Sequence, residues 1–132
     1  MLLNWFKFRV EKPKTSLVIF GTEFGSYQLL QLVQSSSKYR VAGFVSTDSW
    51  QKRSGFGKIG VIFPTELNML CKAQNVAAIL VSSDQKESFE KDEDMQPVRE
   101  QMHLVRYCET LEIPQAPNRK NADAFIESQI EA

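Results

Sequence analysis

Residues Ser16 to Val33 read SLVIFGTEFGSYQLLQLV. Leu17, Val18, Ile19 and Phe20 form an unbroken apolar run, too short for a helix and rich in β-branched and aromatic side chains, the pattern of a strand buried on both faces. Gly21 ends it. Gly21-Thr22-Glu23-Phe24-Gly25-Ser26 then reads as a turn, after which Tyr27, Leu30 and Val33, with Leu29 and Leu32 beside them, continue at helical spacing. A strand, a glycine turn and a helix in that order form the phosphate-cradling start of an α/β domain.

Upstream, Met1 to Val10 (MLLNWFKFRV) is apolar and aromatic with Lys7 and Arg9 interspersed. It lacks the long apolar region and small-residue cleavage site of a signal peptide and is too short to span a bilayer. Two readings stand: an interfacial anchor making weak membrane-surface contact, or an arm packing on its own domain or a second subunit. Lys12-Pro13-Lys14-Thr15 reads as a linker.

Downstream, Ser35-Ser36-Ser37 is a polar break and Tyr39 to Val45 a second strand, ending at Ser46-Thr47-Asp48-Ser49. Trp50 to Lys58 (WQKRSGFGK) is a glycine-rich basic surface loop, and Ile59 to Phe63 a short third strand. Pro64 opens a helix through Met69, Leu70 and Ala73 that ends at Asn75. Val76 to Val81 is the second wholly apolar run, closed by Ser82-Ser83-Asp84. The charged stretch from Gln85 to Gln96 reads as a solvated loop or a frayed helical turn. Pro97 is expected to start a helix whose stripe is Val98, Met102, Val105, Cys108 and Leu111. Ile113 to Pro117 is expected as an extended edge piece, and Asn121 to Ala132 as an amphipathic helix.

Strands alternating with helices, two of the strands apolar throughout, predict an α/β fold: a single Rossmann-like domain with a mainly parallel sheet and helices on both faces. Its divisions are expected at residues 1–15 (arm and linker), 16–117 (Rossmann-like domain) and 118–132 (terminal helix). The strand C-termini would line one crevice. They carry Gly21 to Ser26, Ser46 with Asp48, and the pair Ser82 and Ser83.

Sixteen basic residues balance sixteen acidic ones, so no general field attracts nucleic acid. Cys71 and Cys108 form neither a C-x-x-C pair nor a disulfide framework and read as buried free thiols of a reducing cytoplasm. The single histidine, His103, leaves little with which to build a metal site or a catalytic triad, and no metal is expected.

The runs LVIFGTEFGSYQLLQLVQSSSKYRVAGFVSTD and GFGKIGVIFPTELNMLCKAQNVAAILVSS resemble the N-terminal Rossmann-like domain of bacterial nucleoside-diphosphate-sugar dehydratases and epimerases of the capsular-polysaccharide type. The likeness covers roughly Ser16 to Pro117 and rests on the order of several short motifs. It implies binding of NAD, a nucleotide-sugar or CoA through Gly21, Thr22, Glu23, Phe24, Gly25, Ser26, Ser46, Asp48, Ser82 and Ser83. The sequence departs from the family pattern at informative places. Only Gly21 of the three family glycines stands in register, with Glu23 in the second place and Ser26 in the third. Glu23 puts a carboxylate where a pyrophosphate would meet backbone amides. Ser46 replaces the ribose-binding acid, and Asp48 lies two residues on. The Tyr- or Met-x-x-x-Lys pair of the family's catalytic domain is absent from the sequence.

The expectation is a non-catalytic nucleotide-binding domain associated with surface-polysaccharide biosynthesis, placed in the cytoplasm or at the inner face of the membrane. A binding-dead Rossmann scaffold acting as a protein–protein interaction module is the alternative, and the apolar termini suggest a homodimer in either case.

Overall fold

The computed structural model describes residues 14–21, 24–46 and 60–131. Among the features expected from sequence, the arm over residues 1–10, Thr22, Glu23, Asp48 and the loop from Trp50 to Lys58 lie outside these. The described strands are β1 (Thr15–Phe20), β2 (Tyr39–Val45), β3 (Val61–Ile62), β4 (Ala78–Ser82) and β5 (Val105–Cys108). The helices are α1 (Phe24–Ser35), α2 (Leu67–Gln74), α3 (Lys86–Lys91), α4 (Gln96–Arg99) and α5 (Arg119–Glu131). All pairs among the described strands are parallel, in the order β3-β2-β1-β4-β5. The chain is an α/β domain of the Rossmann-like kind.

Crossover handedness distributes the helices. From β1 the chain moves to β2 on one side, whereas β3 to β4 and β4 to β5 move the opposite way, so right-handed connections must use opposite faces of the sheet. The two cores show this division. Leu17 and Ile19 of β1 pack with Leu29, Leu32 and Val33 of α1 and with Ala122 and Ile126 of α5. Val18 and Phe20 pack on the other face with Leu67 of α2, Phe89 of α3 and Val98 of α4. All four of these β1 side chains are buried, each contributing about 1.5–3 kcal/mol of hydrophobic stabilisation.

Strand β2 carries a bulge. Leu17 is opposite Val41 and Val18 opposite Gly43, which leaves Ala42 as the extra residue. Val41 and Phe44 consequently face the same core, while Ala42 and Val45 face the other. An unbroken alternation would have placed Val41 and Phe44 on opposite faces.

Two helix ends follow from local chemistry. Asn75 adopts the left-handed conformation, with φ 52° and ψ 55°, and its N–H donates to the Cys71 carbonyl, closing α2 where the sequence expects it. Asn118 and Asn121 cap each other, the Asn121 N–H donating to Asn118 Oδ1 at 2.9 Å and the Asn118 N–H to Asn121 Oδ1 at 2.7 Å. Helix α5 therefore starts two residues before the expected Asn121.

The segment after Pro97 corrects the sequence reading. In place of one long helix there is a single turn, α4, then a short 3-10 turn over Met102–Leu104, then strand β5. Of the expected stripe, Val98, Val105 and Cys108 are buried, but Leu111 is 89% exposed and Met102 45%. Val105 to Cys108 pairs residue by residue with Ile79 to Ser82. That ladder satisfies backbone groups at a distant edge, a gain invisible to local periodicity. Cys108 thus lies in a strand. Among the described strands β5 forms the edge on this side of the sheet, opposite β3, and Ile113 to Pro117, expected at an edge, is irregular with Ile113 buried.

The charged stretch from Gln85 to Gln96 is also more ordered than expected. It contains α3 and a 3-10 turn, and Phe89 is fully buried. The Arg99 guanidinium holds the segment by donating to the Phe89 carbonyl at 3.0 Å and the Asp92 carbonyl at 2.6 Å.

Candidate functional site

In this strand order the sequence of the sheet reverses between β1 and β4, so the crevice beyond their C-termini is where ligands of such sheets bind. Gly21 leaves β1 with φ 79°, a left-handed conformation that strains any residue with a Cβ. Its N–H still donates to the Val45 carbonyl at 2.8 Å, so the β1–β2 ladder reaches the edge of the turn. Helix α1 begins three residues later.

Ser26 is fully buried, and its hydroxyl donates to the Phe20 carbonyl at 2.9 Å, tying the first turn of α1 to the end of β1. Gly25 is buried where α1 crosses β4. A Cβ on it would stand 2.6 Å from Ser82 Oγ and 2.8 Å from Ser82 Cβ, so the close helix–sheet approach depends on glycine here. Phe24 points outward and is 72% exposed. Ser46 closes β2 with its N–H on the Ile62 carbonyl at 3.0 Å.

The serine pair divides. Ser82 is fully buried and its hydroxyl donates to Asp84 Oδ1 at 2.5 Å. Ser83 turns toward β5: its hydroxyl accepts from the Thr110 N–H at 3.0 Å and lies 3.0 Å from the Thr110 hydroxyl and 3.3 Å from Glu109 Oε1. The structure thus brings Gly21, Gly25, Ser26 and Ser82 together at one place, with Phe24 at its rim, Ser46 at the neighbouring strand end and Ser83 directed away.

Two further residues enter the crevice. Asp84 Oδ1 lies 3.0 Å from the position of a Gly25 Cβ, and Gln85 Oε1 lies 3.0 Å from that of a Gly21 Cβ. Both follow β4 on a 3-10 turn, Ser83–Gln85. Their signal in the sequence is position: polar residues just past the end of a wholly apolar strand lie at the ligand edge of a parallel sheet.

Beside the crevice, Tyr107 donates to Glu90 Oε1 at 3.1 Å, and Lys86 Nζ lies 5.0 Å from the centre of its ring. Burial, then the bond to Glu90, push the Tyr107 phenol up to about 12. It therefore stays protonated at neutral pH and supplies no base. A separate groove of about 270 Å³ runs between the outer face of α1 and Pro114–Gln115, lined by Phe24, Tyr27, Gln28 and Gln31. Among the described residues, no group of three or more His, Cys, Asp or Glu converges as a metal site, and no helix is long and apolar enough to cross a membrane.

A dinucleotide needs its diphosphate close to the backbone of the turn. On the sides of Gly21 and Gly25 where a Cβ would stand lie Gln85, and Ser82 with Asp84, of this chain, and Asp84 carries a carboxylate.

No protein-family model matches the chain, and no curated protein sequence does. Its fold is similar to that of UDP-D-quinovosamine 4-dehydrogenase from Vibrio fischeri, with a TM-score of 0.57 and 16% identity over 72% of this chain and 76% of that one. At this identity the likeness concerns the fold, and what the two share is a Rossmann-like α/β domain.

Proposed function

We propose that the chain is a non-catalytic nucleotide-binding domain associated with surface-polysaccharide biosynthesis, taking NAD(H), a nucleotide-sugar or CoA in the crevice between β1 and β4. The observation that carries the reading is the left-handed Gly21 turn joining the central strand to α1 at the reversal of strand order. Similarity in fold to a dehydrogenase of a UDP-sugar supports the ligand class. Gly21 would contact the ligand from just past β1, Gly25 and Ser26 from the first turn of α1, and Ser46 from just past β2. Thr22, Glu23 and Asp48 belong to the same proposal by their sequence positions. A cytoplasmic location, with weak membrane-surface contact through residues 1–10, completes it.

The test is thermal unfolding with NAD, NADH, CoA, acetyl-CoA and several UDP-sugars at millimolar concentration. A ligand that binds only the native state raises the midpoint by mass action. A rise with one of them names the ligand class, and no rise with any of them removes the reading.

The alternative is an interaction module built on a scaffold that binds no nucleotide. It is favoured by the exposure of Phe24 at 72% and Tyr27 at 46% along one face of α1. Light scattering of the wild type and of Phe24→Ser would address it in the homodimeric form. An unchanged monomeric mass in both proteins would dismiss the homodimer.

A further inference from the structure

The outer face of α1 carries Phe24, Tyr27, Gln28 and Gln31 at helical spacing i, i+3, i+4 and i+7, so two rings and two amides share one stripe. Leu29, Leu32 and Val33 hold the helix to the core on another side. Across from the stripe lie Pro114 and Gln115, fixed by the buried Ile113, which packs in the same core as Leu29 and Leu32. The groove of about 270 Å³ runs between these walls. Its volume falls just under the range of about 300–1,000 Å³ usual for drug-sized ligands, which leaves room for a single sugar ring.

None of the described residues lining the groove is charged: the walls are two exposed aromatic rings, a proline and three carboxamides. A pyranose offers C–H faces that lie flat on such rings, and a rim of hydroxyls that both donate and accept. A carboxamide meets a hydroxyl in either role, with one acceptor and two donors. Gln28 Oε1 is an independent sign, for it is closed off from solvent and has no hydrogen-bond partner. A buried acceptor in that condition costs free energy that an incoming donor returns. The terminal torsion of glutamine is soft, so the amide can turn to meet a ligand hydroxyl. Position links the groove to the crevice, because Phe24 opens α1 beside Gly25 and also lines the groove, which follows the helix to Gln31, about 10 Å on.

We propose that this groove is a glycosyl subsite, taking the neutral sugar ring of a nucleotide-sugar whose nucleotide part occupies the crevice. The inference rests on the nucleotide-binding reading and narrows it to one ligand class, because a pyranose ring is what separates a nucleotide-sugar from NAD(H) and CoA. The ring lies against Phe24 and Tyr27, and its hydroxyls bond to the amides of Gln28, Gln31 and Gln115.

The experiment is titration of the nitrogen-15-labelled full chain with UDP, UDP-glucose, UDP-N-acetylglucosamine and methyl glucoside, followed by NMR and calorimetry. A UDP-sugar should bind about tenfold more tightly than UDP, the worth of one or two hydrogen bonds, and should move the side-chain amide signals of Gln28, Gln31 and Gln115 that UDP leaves in place. Gln28→Leu should bring the UDP-sugar down to the affinity of UDP while UDP itself changes by less than about twofold. Should Gln28→Leu fail to fold, Gln31→Ala, at an exposed helix position, carries the same test. UDP-sugars that bind no more tightly than UDP, or glutamine amides that stay in place with every sugar ligand, overturn the proposal. Failure of the nucleotide-binding reading would look different: the Gly21 and Gly25 N–H signals would not respond to UDP or to UDP-sugars. Methyl glucoside, which has no nucleotide part, would still move the glutamine amides if the groove takes a sugar.

Discussion

Asp123 of α5 accepts two hydrogen bonds from Ser37, one from the hydroxyl to Oδ2 at 2.8 Å and one from the backbone N–H to Oδ1 at 3.2 Å. The Ser36 hydroxyl donates to the same carboxylate, and next to it Lys38 pairs with Glu127 at 2.5 Å. The last helix is thereby fastened to the polar break between α1 and β2, residues 86 positions apart in sequence. Burial raises the Asp123 pKa, but the bonds from Ser36 and Ser37 and the charge of Lys38 outweigh it and hold the carboxyl below its usual range.

A group whose pKa is depressed by folding contributes stability above its unfolded pKa, and that contribution is lost as pH falls through the folded value. The wild type should therefore lose stability below about pH 4, and Asp123→Ala should show a flatter acid limb in urea titrations. At neutral pH Asp123→Ala should cost about 1 kcal/mol, solvent screening having reduced the value of charged hydrogen bonds near the surface. An acid limb of the same slope in both proteins would show that this carboxylate is not the titrating clasp.

Gly25→Ala puts a methyl group 2.6 Å from Ser82 Oγ and 2.8 Å from Ser82 Cβ. The obstacle is a strand end fixed by sheet pairing, so the helix must shift, at a cost of about 1–3 kcal/mol. Adding Ser82→Ala should recover little, since that Cβ remains, whereas Ser82→Gly should recover most of the loss. Denaturant midpoints of the three proteins decide it, and full rescue by Ser82→Ala would place the clash at the hydroxyl instead.

Phe89 is fully buried, with its ring edge-on to Phe20 at 5.3 Å and to Tyr107 at 6.1 Å between centroids. It joins α3 to β1 and β5. Phe89→Ala should cost about 3–5 kcal/mol, and Phe89→Leu clearly less because most of the volume is retained. Tryptic digestion under native conditions would read this as earlier cleavage at Lys86 and Lys91 in the alanine variant. Equal resistance in both variants would mean the segment packs without its aromatic anchor.

The two thiols should differ in reactivity. Cys108 is fully buried and burial pushes it up to about 12, while Cys71 is half-buried and raised by the same cause to a smaller degree. Because the thiolate is the reacting species, Cys71 should label first with an aromatic disulfide at about pH 8, and Cys108 only as the domain unfolds. Mass spectrometry of partly labelled protein identifies the site, and prompt labelling of Cys108 would show that β5 opens readily.

Much of the fold was legible from residue type and order alone. Leu17 to Phe20 and Ala78 to Val81 are strands buried on both faces, and only a covered parallel sheet accommodates such uninterrupted apolar runs. Gly21 marked a turn that needs a positive φ, and Asn75 a left-handed helix end, because few residues tolerate those conformations. Where the reading went astray, over Val98 to Leu111, the residues satisfied helical spacing equally well. A strand of four residues carries too short a pattern to compete.

Local patterns are written within a few residues, so the elements built from them can be read one at a time. Partnerships across the sheet depend on which segments the chain brings together. Nothing in the neighbourhood of Val105 announces that Ile79 will pair with it, nor does Ser37 announce Asp123. The candidate crevice shows the same division. Its glycine turn follows from the residues between Leu17 and Val33, but the placing of Ser82, Asp84 and Gln85 against Gly21 and Gly25 arises only when β4 docks beside β1. Close packing there seats the chain's own side chains against the two glycines.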